Sequence, residues 1–135
     1  MDIASQLSEI IPSARVHTRL IDRIAYANDA SYFRLVPQAV VQPNSISEIQ
    51  SLFKFTQQNK IPMTFRAAGT SLSGQAVTDG ILVDISKHWG KYSIEDDAKH
   101  IRFQRFDLRL DSLCRGQIHL VKQMSSNVSC DMNFL

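Results

Sequence analysis

Two cysteines are all this chain has, Cys114 and Cys130, and they stand apart without C-x-x-C spacing. A structural zinc site or a disulfide framework is therefore not expected, and both side chains read as free thiols. Charge of one sign is also lacking. Fifteen Lys and Arg stand against 13 Asp and Glu, a net charge of +2, with the two signs interspersed. No basic stripe forms that could neutralise a phosphate backbone, which argues against a nucleic-acid partner. No apolar run approaches the roughly 20 residues that cross a bilayer. The start, Met1-Asp2-Ile3-Ala4-Ser5, has neither the basic leader nor the apolar core of a signal peptide. No transmembrane segment and a cytoplasmic location are the resulting expectations. Internal repeats and low-complexity tracts are missing too.

What remains is an ordinary globular composition, 44% hydrophobic and 21% charged over 135 residues, enough for one core. Leu7, Ile10, Ile11 and then Leu20, Ile21, Ile24 fall at helical intervals on either side of Pro12, which predicts two short helices between Ile3 and Tyr26. Residues 27–37 read as turns, and the β-branched Ala39-Val40-Val41 ahead of Pro43 reads as a short strand. Ser45-Ile46-Ser47-Glu48 has capping-box form, so a helix is expected to begin there and to end at Asn59-Lys60. Its predicted buried face is Ile46, Ile49, Leu52, Phe53 and Thr56. Met63-Thr64-Phe65 is a second strand, Ile81 to Ile85 a third, and Ile101-Arg102-Phe103 a fourth after the acidic Glu95-Asp96-Asp97, which reads as a solvated turn. The fold class is α+β. A helical segment spans 1–36, a β-α-β unit 37–104, and the tail 105–135 has no sustained period and stays unassigned.

Chemistry concentrates in Arg66-Ala67-Ala68-Gly69-Thr70-Ser71-Leu72-Ser73-Gly74-Gln75, directly after the second strand. Small residues let the backbone approach a phosphate, and successive N–H groups can form an anion nest without a lysine. Gly69 supplies conformational freedom, Thr70, Ser71 and Ser73 supply hydroxyls, and Arg66 at the strand end is placed for a phosphate-side role or a surface ion pair. Two common phosphate loops are excluded by spacing. Gly69 and Gly74 match the glycines of G-x-x-x-x-G-K-[ST], yet Gln75 and Ala76 stand where its lysine and hydroxyl residue belong. The G-x-G-x-x-G dinucleotide fingerprint is absent. His17, His88, His100 and His119 lie too far apart to suggest a ligand set.

Taken in order, Pro37-x-Ala39-Val40-Val41-x-Pro43, Ser47-Glu48-Ile49, Ile61-Pro62, Phe65 through Gly74, and Ile81-Leu82-Val83-Asp84 resemble the FAD-binding domain of the vanillyl-alcohol oxidase (PCMH) type. Within it they are most similar to the D-lactate dehydrogenase and glycolate oxidase FAD-subunit branch. The resemblance covers about residues 20–104. It implies that Arg66 to Leu72 run along the FAD pyrophosphate through their backbone amides, with Gly74 and Gln75 continuing toward the flavin. Alanine at 67 and 68, where glycine is common in the family, narrows the turn without excluding it. Tyr26 and Tyr32 flank a segment near the flavin in relatives, and both are expected to bury their rings. The family's second flavin segment, Asp-Pro-Ala-Ser with paired glycines, is missing after Gln104, where Arg105-Phe106-Asp107-Leu108-Arg109 begins instead.

The implied function is FAD binding as the N-terminal half of a dehydrogenase domain, inactive alone, with a small 2-hydroxy acid as the parent substrate. A truncated gene or a shifted frame would explain the tail, and the rest of the dehydrogenase would then be supplied elsewhere. A small phosphate- or nucleotide-binding module without a redox step is the alternative. A remnant whose exposed apolar surface drives aggregation is a third reading. No catalytic residue and no metal site is assigned.

Overall fold

The structure is a computed structural model that describes residues 3–95 and 100–103. It contains two compact units, Met1–His88 and Trp89–Leu135.

In the first unit, helix α1 (Ile3–Ser8) is followed by a single 3-10 turn (Ser13–Arg15), strand β1 (Val16–His17) and helix α2 (Leu20–Ala25). Strand β2 (Ala39–Val41), helix α3 (Ile46–Asn59), strand β3 (Met63–Arg66) and strand β4 (Ile81–Asp84) complete it. The sheet order is β1-β2-β4-β3. β4 pairs in parallel with both β2 and β3, setting Val41 beside Val83 and Arg66 beside Asp84. β1 adds an antiparallel edge on β2. Parallel strands cannot be joined by a tight turn, and α3 supplies the crossover between β2 and β3. The second unit contains an antiparallel pair, β5 (Tyr92–Glu95) and β6 (His100–Phe103).

Alternation along the strands builds two buried layers. Ala39, Val41, Ile81 and Val83 join Leu7, Ile11 and Leu52 in the main core, with Phe55 and Met63 packed against it. Val40, Leu82 and Asp84 are buried as well, at the alternate positions of the same strands. A strand buried at every position, as β2 and β4 are, reads as an unbroken apolar run, which fits parallel pairing. Enclosing Leu52 alone contributes about 2 kcal/mol.

α3 begins where its sequence says. Ser45 is extended, and its hydroxyl accepts from the Glu48 amide. Glu48 does not return the favour to Ser45; its carboxylate accepts from the Asn44 amide and from Arg15. The predicted buried face needs correcting. Leu52 and Thr56 are buried, but Ile46 is 65% and Phe53 53% exposed. Ile46 and Phe53, seven apart, sit about 100° round the helix from Leu52, outside the arc that faces the strands. Phe53 instead meets Phe65, ring centroids 5.9 Å apart.

Three further differences concern the termini. Between the two expected N-terminal helices lies the unpredicted edge strand β1, and Leu20, Ile21 and Ile24 of α2 are exposed. β5 begins before the acidic residues, so Glu95 belongs to a strand. Tyr32 is fully exposed, whereas Tyr26 is half-buried, because only Tyr26 has a polar partner for its hydroxyl inside the fold. The unassigned tail, Cys114, Cys130, His119 and the Asp96-Asp97 part of the acidic run lie outside the described residues.

Candidate functional site

Between β3 and β4 the chain makes no helix. It forms the loop from Ala67 to Gly80, whose first half carries the small residues. Among the described residues, none accepts a hydrogen bond from the backbone amides of Ala67, Ala68, Gly69, Thr70, Ser71 or Leu72. In a half-exposed loop these six consecutive donors are left to solvent or to a ligand. Gly69, inside this run, and Gly74, two residues beyond it, both take left-handed backbone, at φ +68° and +76°. The Ser71 hydroxyl closes the turn at Gly74 by accepting from the amides of Ser73 and Gln75, at 3.3 and 3.0 Å.

A side chain at either glycine would displace a neighbour. A Cβ on Gly69 would stand 2.5 Å from Nη2 of Arg66, and one on Gly74 would stand 2.6 Å from the Phe33 ring. The Arg66 guanidinium thus passes close beneath the loop. Its Nη1 donates to the carbonyls of Tyr26 and Asn28, at 3.1 and 2.7 Å, and the group lies 5.5 Å from the Tyr26 ring centre. Arg66 is therefore tied to the backbone that precedes β2, and no carboxylate forms an ion pair with it among the described residues.

Residues 28–30 hold the loop at other points. The Ala30 amide donates to the Gly69 carbonyl at 3.0 Å. Asp29 accepts from Ser31 through both its amide and its hydroxyl, and its second carboxylate oxygen accepts from the Ala76 amide at 3.3 Å. The Ser31 hydroxyl above all, then the two amides and the Arg66 charge, keep this carboxyl below its ordinary range. On the buried side, Asp84 at the end of β4 accepts from the Tyr26 hydroxyl at 2.8 Å, from Gln42 at 3.0 Å and from the Ser86 amide at 2.8 Å. Burial, followed by donation to Asp84, pushes the Tyr26 phenol up.

Of the ten residues expected at the site, Arg66 ends β3 and Ala67 to Gln75 lie in the loop that follows it. Their roles differ. The amides of 67–72 and the Thr70 hydroxyl are available to a ligand, the Ser71 hydroxyl is spent inside the loop, and Arg66 works as a tether. Asn28, Asp29, Ala30 and Phe33 were legible only as a turn-rich stretch, and Tyr26 only as an aromatic flanking it; the one signal for the turn was the Asn-Asp pair, which does not say what the turn touches. Open amides and positive-φ glycines together fit a diphosphate. No group of three or more metal-ligating side chains occurs among the described residues, and no helix there is long and apolar enough to cross a membrane.

Comparison with known proteins points the same way. The family model described as FAD binding domain matches residues 37–105. A D-2-hydroxyglutarate dehydrogenase of Escherichia coli (strain K12) is 34% identical over 77 residues, which are 55% of this chain and 8% of that protein. The glycolate oxidase subunit GlcD of Bacillus subtilis (strain 168) is 28% identical over 102 residues, covering 74% of this chain and 22% of the subunit. In fold, the chain is similar to p-cresol methylhydroxylase (TM-score 0.66, 13% identity, 85% of this chain and 24% of that one). It is likewise similar to alkyldihydroxyacetonephosphate synthase (TM-score 0.65, 14% identity, 84% and 24%). The chain thus spans less than a quarter of the length of each of these relatives.

Proposed function

The chain belongs to the FAD binding domain family, and from that premise we propose that its loop from Arg66 to Gln75 holds the diphosphate of FAD for an oxidoreductase of small 2-hydroxy acids. The observation that carries the loop assignment is the run of six amides, Ala67 to Leu72, without a protein acceptor, in a loop turned by two positive-φ glycines, Gly69 and Gly74. Two phosphate groups offer several anionic acceptors in a row, which matches such a run in number and sign. Thr70 can add a hydroxyl donor. Arg66 contributes positive charge beneath the loop while its fork keeps the backbone in place.

When bound, FAD supplies the hydride acceptor. This chain's residues bind and orient it. The 2-hydroxy-acid class is supported by the names of the relatives, a D-2-hydroxyglutarate dehydrogenase and a glycolate oxidase subunit. A cytoplasmic setting goes with this reading, as does a requirement for chain beyond these 135 residues before turnover occurs, since a base and a held substrate are needed for the hydroxyl proton to leave.

Titration of the purified chain with FAD, followed by flavin fluorescence, tests the assignment. Weak, reversible binding is expected, with Gly69→Val reducing it by about tenfold or more because a β-branched residue is disfavoured at positive φ and meets Arg66. Unchanged affinity in Gly69→Val would remove the loop from the site. Supplied with saturating FAD, D-lactate or glycolate and an artificial electron acceptor, the 135-residue chain is expected to show no turnover, and turnover would overturn the claim that more chain is needed.

A further inference from the structure

The diphosphate loop has few internal bonds to fix its course. Between Arg66 and Ala76, apart from the two amides gathered by Ser71 and the pairing of Arg66 with β4, the hydrogen bonds found lead out to residues 26–30. These attachments are spread along its length. Arg66 at its start reaches the carbonyls of Tyr26 and Asn28, the Gly69 carbonyl at its first turn takes the Ala30 amide, and Ala76 at its far end donates to Asp29. Phe33 packs where Gly74 leaves room. Three consecutive residues, Asn28 to Ala30, thus hold the beginning, the first turn and the end.

Only one of the three acts through its side chain. Asp29 is fixed by its neighbours first: Oδ1 accepts from the Ser31 amide at 2.9 Å and the Ser31 hydroxyl at 2.5 Å, and this leaves Oδ2 pointing at Ala76. We infer that Asp29 is a positioning residue for the cofactor loop, its carboxylate locking the arm that returns to β4 so that the amides of Ala67 to Leu72 converge on one anion. The inference rests on the diphosphate assignment above. Placing a carboxylate near an anionic ligand carries a Coulombic penalty. A neutral side chain would avoid that penalty, but none of similar length offers two acceptor oxygens at once. Arg66 lies close enough to offset part of the negative charge, and it contributes to keeping the Asp29 carboxyl ionised.

The experiment uses the full chain and two probes, FAD and ADP, the second carrying a diphosphate without a flavin. Asp29→Ala, Asp29→Asn, Ser31→Ala and Gly69→Val are compared with the unaltered chain for affinity and for unfolding temperature. Asp29→Ala is expected to weaken FAD and ADP by the same factor, about tenfold, or roughly 1.4 kcal/mol. Asp29→Asn, which keeps one acceptor oxygen, is expected to fall between, and Ser31→Ala to weaken both probes by a smaller factor. The exchange protection of the Ala76 amide should drop in step with affinity. A residue that served folding alone would lower the unfolding temperature without this graded, probe-independent loss.

If Gly69→Val loses affinity while Asp29→Ala and Asp29→Asn keep it, the inference is wrong and the loop assignment stands. If FAD binding falls and ADP binding does not, Asp29 acts away from the diphosphate and the inference is again overturned. If the unaltered chain binds neither probe, or Gly69→Val changes nothing, the loop assignment itself fails. Should Asp29→Ala fail to fold, the ranking of Asp29→Asn and Ser31→Ala against the unaltered chain decides the matter.

Discussion

Asp29 and Asp84 are both carboxyls that accept three hydrogen bonds, and they sit on opposite sides of the same problem. Asp29 is partly exposed and ties two loops together, whereas Asp84 is 1% exposed and ties the end of β4 to β2's continuation and to the segment after α2. Removing the buried one strands its partners. In Asp84→Ala the Gln42 amide, the Tyr26 hydroxyl and the Ser86 amide all lose an acceptor, and Gln42 is itself only 5% exposed. A buried polar group without a partner costs about 1–3 kcal/mol, so urea unfolding of this variant should show a loss of at least about 3 kcal/mol. Tyr26→Phe removes the hydroxyl that donates to Asp84 and accepts from Gln42, but leaves Gln42 bonded to Asp84, and should lose only about 1 kcal/mol. Equal losses in the two variants would mean that Asp84 does not gather the network. Neither role could be read from the sequence. Asp84 stood at the end of an apolar run and Asp29 in a turn, and in each case the partners that define the role lie far along the chain, 58 and 42 residues away for Asp84 and 47 for Asp29.

The best-read element is α3, because its boundaries are set by neighbours in sequence. Ser45 starts it through the Glu48 amide, and the chain leaves at Lys60 in the left-handed region, φ 54° and ψ 39°. The Ile61 amide then returns to the Thr56 carbonyl at 3.0 Å, closing a Schellman-type end. Glycine is the residue suited to that conformation, and Lys60 occupies it at a cost in strain. Lys60→Gly should therefore raise the unfolding free energy by about 0.5–1 kcal/mol, measured by thermal or urea denaturation, with the helix content unchanged. A drop in stability would show that the lysine side chain holds something more valuable than the backbone relief. What periodicity could not supply was which part of α3's apolar stripe the sheet covers, since the width of that contact depends on strands distant in sequence. β1 was illegible for a related reason: two residues are too few for alternation, and only pairing with β2 defines them as a strand.

At the scale of the whole molecule, one ion pair among the described residues links the N-terminal segment to the helix. Arg15 donates to both carboxylate oxygens of Glu48, at 2.8 and 2.6 Å, and to the Gln42 carbonyl at 2.8 Å. The Arg15 hydrogen bonds, more than the Asn44 amide and the neighbouring charges, hold the Glu48 carboxyl below its ordinary value of 4.5. A folded-state value depressed in this way means stability that is fully present above about pH 4.5 and is lost as the pH falls through the folded value. The unfolding temperature should decline on acidification below that point, and Glu48→Gln should be less stable at neutral pH and flatter over the same acid range. An identical acid profile in Glu48→Gln would remove this pair as the cause. The β-α-β order and the loop were legible because local turn chemistry and short apolar runs encode them. The order of strands in the sheet was not, and it has a consequence for how the protein is made. β4, the last strand of the sheet in chain order, is its centre, flanked by β2 and β3. On the ribosome, therefore, Ala39–Val41 and Met63–Arg66 emerge without the partner that both require. Until Ile81–Asp84 follows, the nascent chain exposes two apolar strand edges of the kind that chaperones bind and that aggregate when unprotected.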